Sequence, residues 1–525
     1  MLLLCTIALL MQRSRAECEF KYSDFECTKA DSKSIMFDFN SKTRNSTTIR
    51  TFRFASVDSE SIQRFLSAVD EEIKFNIQEI GMNHCDLTEP PDISGYQHLE
   101  TLDARHNKIS TVPEVFSDFE RLELVDLSHC EIDNLNFIVF KNNQNLRLVN
   151  VSNNNIRSTE SDEYLKNVRC VDLSRNPLAK YSNVPGLCLD FSYTDMAGYQ
   201  WYNVGESNKT VMVEQFRFSG NGRLKLRAIS AGNISLPITV QYLDLSQYRG
   251  DVGDLDLEQV KVSKSMSLKG SERIVLDKSK RDFVGLFFEE GTNATFDLSN
   301  CSIDLIPDGY FEGINLGRLD LCYNHIDRLN SNVFKDSYIV QLDLCRNDIG
   351  EIDERAFDNL HVGLLNLSGN KISKNLEFLK PITAIHHLDL SNNRIASLSS
   401  GSFDTPTLET INLRGNSISI IDNGGVFANK NVRIVVLSDN NLSGIREGTF
   451  ANSPGLREVN LDGNPIRFID ANSFADLPAL RTVSLKGTEV YVIKNNAFAN
   501  VGNLEKVYLD NNEVNDLHLI CKLFK

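Results

Sequence analysis

The chain has 525 residues, 41% hydrophobic and 24% charged, the profile of an ordinary globular protein with length for a large core. Its formal net charge of −16 argues against a nucleic-acid binder, because neutralising phosphate requires a basic patch. Residues 2–11, LLLCTIALLM, form one apolar run that ends in Ser14-x-Ala16. This pattern predicts a secretory signal peptide over 1–16, since a membrane span needs about 20 apolar residues and the run has half that. No other stretch approaches such a length, and the end Cys521-Lys-Leu-Phe-Lys525 is no lipid-anchor signal. Without 1–16 the chain keeps 53 basic and 71 acidic side chains, a net charge of −18. Eight Asn-x-Ser/Thr sequons, at Asn45, Asn150, Asn208, Asn233, Asn293, Asn300, Asn366 and Asn441, fit a secreted glycoprotein.

Downstream of the leader the chain is dominated by a repeat, L-x-x-L-x-L-x-x-N-x-I-x-x-I-x-x-x-x-F. Its Asn phase falls at Cys85, Asn107, Cys130, Asn154 and Asn176. It returns at Cys301, Asn324, Asn347, Asn370, Asn393 and Asn416, spaced by 23, then at Asn440, Asn464, Thr488 and Asn512, spaced by 24. In Leu-x-Leu the side chains alternate, so Leu319 and Leu321 point inward while Asp320 and Cys322 take the other face. A Phe phase (Phe116, Phe140, Phe311, Phe334, Phe357, Phe403, Phe427, Phe450, Phe474 and Phe498) predicts a stacked spine, and accounts for ten of the thirty phenylalanines. Between 196 and 290 the pattern is faint, surviving as Val213-x-x-Phe216-x-Phe218-x-x-Asn221 and Val240-x-x-Leu243-x-Leu245-x-x-Tyr248.

These residues resemble the leucine-rich repeat signature, L-x-x-L-x-L-x-x-N/C-x-L, and the chain is similar to extracellular members of that family. The resemblance implies an α/β repeat solenoid, a horseshoe with a concave parallel β-sheet and an irregular or short-helical convex side. It also implies that the Asn amides form a ladder between coils. Buried cysteine suits the same slot, so Cys85, Cys130 and Cys301 are expected as reduced core groups. The expected segments are a signal peptide (1–16), an N-terminal cap (17–74), a first repeat block (75–195), degenerate repeats (196–290), a second block (291–517) and a short end (518–525).

Ten cysteines remain after residue 16. Cys18 and Cys27 suit the disulfide-closed hairpin cap of the family. Cys322 and Cys345 hold one phase on neighbouring strands about 4.8 Å apart, within reach of a lateral disulfide, with free thiols as the alternative. Cys170 and Cys188, on successive strands, are candidates for a similar pair. Cys521 is left over, which implies either a truncated cap or an interchain disulfide. His84, His106 and His129 share the phase before the Asn slot, and are read either as a pH-sensitive or metal-binding edge or as plain solvent-facing residues.

An acidic column (Asp297, Asp320, Asp343, Asn366, Asp389, Asn412) is expected to face solvent and to present a directional surface to basic partners. Glycans at Asn150 and Asn366 would stand on the same face and steer protein ligands toward the flanks, the convex side or the C-terminal repeats. There Arg414, Arg433, Arg457, Glu458, Arg481 and Lys486 form the candidate binding surface. No Gly-x-Ser-x-Gly elbow, phosphate loop or His-Glu-x-x-His is present, so neither catalysis nor a cofactor is expected. The resemblance points to secreted insect immune leucine-rich repeat proteins, with an extracellular protein ligand or a repeat-protein partner, or a disulfide-linked dimer through Cys521. The alternative is an adhesion or guidance ligand, or a shed receptor-like ectodomain similar to Toll-like and chaoptin-like proteins.

Overall fold

A computed structural model describes residues 17–512 apart from 22, 31–34, 36–37, 40–48, 113, 161–167, 179–187, 195–198, 203–210, 222–223, 225, 230–234, 250–254, 256, 258–259, 273, 277–287, 289–292 and 374–375. The signal-peptide expectation, Cys521 and the 518–525 end lie outside the described residues. The chain divides into two compact units, one of residues 1–250 with 254–261, the other of 251–253 with 262–525.

The first unit opens on an antiparallel hairpin, Glu17–Lys21 with Asp24–Thr28, closed by the Cys18–Cys27 disulfide at paired positions. The second hairpin strand pairs in parallel with Thr51–Ala55, and that strand with Glu79–Asn83, which begins the repeat sheet. Beneath it Phe25, Phe39, Phe52, Phe54 and Phe65 form one buried aromatic cluster. Phe65 arrives on the helix Ser59–Ala68, whose first turn is capped by Asp58 accepting from the Ser61 amide at 2.8 Å.

Parallel pairing then continues through Thr101–Asp103, Leu124–Asp126, Leu148–Asn150, Cys170–Asp172, Cys188–Asp190, Val211–Arg217 and Ile238–Asp244. The faint repeats around Phe216 and Leu243 are therefore true coils. Their slots are filled by Asn221, which donates to the carbonyls of Phe191 and Phe218, and by the buried Tyr248. Thr194 closes the preceding coil by donating to Phe191 O at 2.9 Å. Tyr248 stands at the slot phase read from the sequence, whereas Thr194 is not legible as a slot residue from an Asn/Cys pattern.

The second unit runs in parallel from residues 262–267 of the strand Val260–Ser267 through Thr295–Asp297, Asn315–Asp320, Tyr338–Asp343, His361–Asn366 and Ala384–Asp389. It goes on to Thr410–Asn412, Ile434–Val436, Glu458–Asn460, Thr482–Ser484 and Lys506–Tyr508. Each unit is thus a parallel-strand solenoid, as the repeat implies. The ladder is present: Asn324 donates to Leu298 O and Leu321 O, both at 2.9 Å, while its Oδ1 accepts from Cys301 N and Ile303 N. Every polar atom of this buried amide is satisfied, which is what makes it tolerable in an apolar coil.

The slot cysteines behave as expected. Cys85, Cys130 and Cys301 are buried thiols bonded to backbone carbonyls, and burial pushes Cys85 and Cys301 up to about 11, so they stay protonated. The Phe spine is also present, with near-parallel rings 5.6 Å apart from Phe311 to Phe334 and from Phe334 to Phe357, and 4.9 Å apart from Phe474 to Phe498. One coil departs from the phase: Phe378, on the 3-10 turn Glu377–Leu379, fills the gap between Phe357 and Phe403, tilted by 50°. The side opposite the sheet is turns, 3-10 helix and small parallel pairings such as Gly444–Ile445 with Phe468–Ile469, a regularity beyond the irregular side expected.

Candidate protein-recognition surface

The residue before the slot takes a left-handed backbone in coil after coil: His84, His106 and His129 at φ 55–58°, Tyr323 at 59°, Gly369 at 68°, Asn392 at 56°. This turn explains why glycine, Asn, Asp and His recur there. The three histidines stack with ring centroids 4.3 and 4.2 Å apart. Partial burial and the adjoining imidazoles hold His106 below the usual histidine range.

The acidic column has a structural task that sequence reasoning missed. Its side-chain oxygen accepts from the amide two residues on: Asp126 from Ser128 (2.9 Å), Asn150 from Ser152 (3.1 Å), Asp297 from Ser299 (2.9 Å), Asp320 from Cys322 (2.9 Å), Asp389 from Ser391 (2.8 Å) and Asn412 from Arg414 (3.1 Å). These are Asx turns that lead the chain out of each strand. The column is half-buried rather than a solvated acidic face, and burial raises the Asp320 carboxyl above its ordinary value.

At Asp343 the pattern changes. The Cys322–Cys345 disulfide is formed, with Cα atoms 4.6 Å apart, and the Cys345 amide donates to Cys322 Sγ instead of to Asp343. Asp343, 3% exposed, is thereby released to accept from Arg318 Nε (2.9 Å), Gln341 Nε2 (2.8 Å) and Asn366 Nδ2 (3.2 Å). Arg318 also donates to Asp320 at 2.8 Å. The strands here are six residues long, and Gly317 and Gly363 allow their close approach. A Cβ would lie 2.4 Å from Asn293 O at the first and 2.7 Å from Val340 O at the second. The disulfide, Arg318, Asp343 and Tyr323 line an open depression of about 600 Å³.

Cys170 and Cys188 correct the expectation of a second lateral disulfide. They occupy directly paired strand positions, but both are free thiols. They sit two positions before the Asx residue, within the paired strand, whereas Cys322 and Cys345 lie just beyond it at the turn. Burial, then a hydrogen bond with Cys170, pushes the Cys188 thiol up to about 12.

The six candidate binding residues do not form one patch. Arg433, Arg457 and Arg481 precede their strands and line one rim, whereas Arg414 and Lys486 follow theirs on the opposite rim. Arg414 is paired with Asp439 at 2.8 Å, and Lys486 with Asp510 at 3.7 Å and over the Tyr508 ring at 4.3 Å. Arg433 reaches Glu409 at 3.5 Å and Arg481 reaches Glu505 at 3.9 Å. Among the described residues no carboxylate pairs with the exposed Arg457, and Glu458 beside it is exposed. Of the sequons, Asn293, Asn300 and Asn441 are exposed, Asn150 and Asn366 are half-buried on the sheet face, and Asn45, Asn208 and Asn233 lie outside the described residues.

A family model described as leucine rich repeat matches residues 314–372, 383–429 and 430–490. No curated protein matches. Among solved structures, the chain is similar to one in the mouse RP105/MD-1 complex, at 17% identity and TM-score 0.48, covering 95% of this chain and 84% of that one. It is similar to one in the Drosophila Toll–Spatzle complex, at 16% and 0.47, covering 91% and 66%. A leucine-rich repeat protein of Leptospira interrogans is similar at 15% and 0.44, covering 89% and 97%. Likeness of this degree carries no inference about ligands. The family match shows leucine-rich repeats over residues 314–372, 383–429 and 430–490, and there the Asn ladder, the in-register parallel strands and the Phe spine recur coil after coil.

Proposed function

We propose that this protein is a secreted, non-enzymatic recognition protein that binds an extracellular protein through the sheet face of residues 412–512, in innate immune recognition or regulation. The observation that carries the reading is the rim of Arg433, Arg457 and Arg481, charged side chains set at fixed intervals on a rigid backbone with no sequon in the central column beside them. The Cys18–Cys27 and Cys322–Cys345 disulfides support an oxidising compartment. The immune assignment rests on the sequence resemblance to secreted insect proteins, and an interchain disulfide through Cys521 belongs to the same reading.

Purification of the native protein under non-reducing conditions, with chemical cross-linking, tests it. A discrete partner should co-purify, and its capture should fall when Arg433 and Arg457 are both changed to Glu. Capture unaffected by that double change would remove this face from the reading. Transcript levels unmoved by microbial challenge would count against the immune role.

A further inference from the structure

The arginine rim has a finite charge pattern. In-register pairing of Ile434, Glu458, Thr482 and Lys506 places the preceding residues in one row: Glu409, Arg433, Arg457, Arg481, Glu505. The row is fastened by the backbone, because the carbonyls of Glu409, Arg433 and Arg457 each accept two amides from the next strand. Arg457 N and Glu458 N, for example, donate to Arg433 O at 2.8 and 3.0 Å. Neighbouring rungs are therefore about 4.8 Å apart, and the five span about 19 Å. Three like charges at that spacing repel by roughly 1 kcal/mol per adjacent pair even in bulk water. The outer two are offset by Glu409 and Glu505, but the middle one is not.

We infer that the row is a docking site for a helical segment of a partner protein carrying a basic–acidic–acidic–basic stripe at positions i, i+4, i+7 and i+11. The inference rests on the reading of 412–512 as the recognition face. At about 1.5 Å per residue such a stripe is about 16 Å long and lies on one helix face. Its central carboxylates, about 4.5 Å apart along the helix axis, fall between the arginines, and its outer cations reach Glu409 and Glu505. Guanidinium forks hold carboxylates in defined geometry, which favours Arg over Lys at these rungs. A long polyanion fits less well, because along the row it runs onto a glutamate at either end and across the row it meets the exposed Glu458.

The test uses the full secreted chain on a sensor surface and three probes. These are a stapled helical peptide with the Lys–Glu–Glu–Lys stripe, the same composition as Glu–Lys–Lys–Glu, and heparin. The first peptide should bind about ten-fold more tightly than the second, and Arg457→Glu should reverse the order. Arg457→Lys should bind the first peptide at intermediate strength. Lys269→Glu, a charge change at an exposed residue just after the strand Val260–Ser267 and outside the row, should leave the preference intact. Equal binding of both peptides overturns the proposal, as does heparin competing them off through Arg457. Native partner capture that survives Arg457→Glu while the peptides fail to discriminate refutes the row but keeps the recognition face. Absence of any partner for the wild-type chain refutes the face itself.

Discussion

Two stretches of the second unit, 315–389 and 410–508, are built on one ladder and one spine but treat their charges differently. In the first, six-residue strands and a disulfide gather Arg318, Gln341 and Asn366 around one buried carboxylate, so the sheet face satisfies itself. In the second, strands are three residues long, no disulfide intervenes, and cations accumulate along a rim with one of them uncommitted. Ladder and spine recur from coil to coil, so the stretches differ chiefly in strand length and in what a few exposed positions leave unpaired.

The comparison can be broken at four strengths. Phe450→Ala removes a spine ring stacked at 5.5 and 5.1 Å on its neighbours, and should cost about 3–5 kcal/mol by denaturant midpoint. The equivalent Phe334→Ala in the first stretch should cost as much, since the spine is common to both; a much smaller loss would show the stretches differ in their cores. Replacing Cys322 and Cys345 together by Ser should cost about 3 kcal/mol, through a 23-residue loop left open in the unfolded chain. Asp343→Ala should cost about 1–3 kcal/mol, because three donors lose their acceptor, whereas Arg457→Gln should leave thermal stability unchanged. Equal effects of those last two would erase the contrast between the stretches.

The smallest effect lies in the first unit. His106 titrates below its unfolded value of about 6.5, so the unfolded chain takes up that proton first. Stability should be flat above that pH and fall as pH drops through it toward the folded value. His106→Asn, which suits the left-handed turn, should flatten the profile in a melting series.

The ladder, spine and strand phase were legible in the sequence because backbone geometry fixes their spacing. Ser271 was not, since a hydroxyl donating to Leu268 O can stand in the slot without any Asn signature. The Asx column was misread for a related reason. Asp before a turn and Asp in solvent look alike in one dimension, and only the Ser128, Ser299 and Ser391 amides distinguish them. Arg414 and Arg433 seemed neighbours by charge, but the strand between them puts them on opposite rims. The two cysteine pairs matched in repeat logic, yet differ in whether they fall inside the strand or at its turn.

The ladder has a direction. Each slot amide serves the coil before it: Asn347 accepts from Ile326 N and donates to Leu321 O, and Asn370 does the same for Ile349 N and Leu344 O. Removing a coil therefore orphans buried amides of its predecessor such as Ile349 N, whereas its successor loses acceptors for exposed amides such as Lys371 N, which water can replace. Fraying should travel toward the N-terminus, one coil at a time, and amide exchange should grade in that order. The molecule is a zipper with one pull.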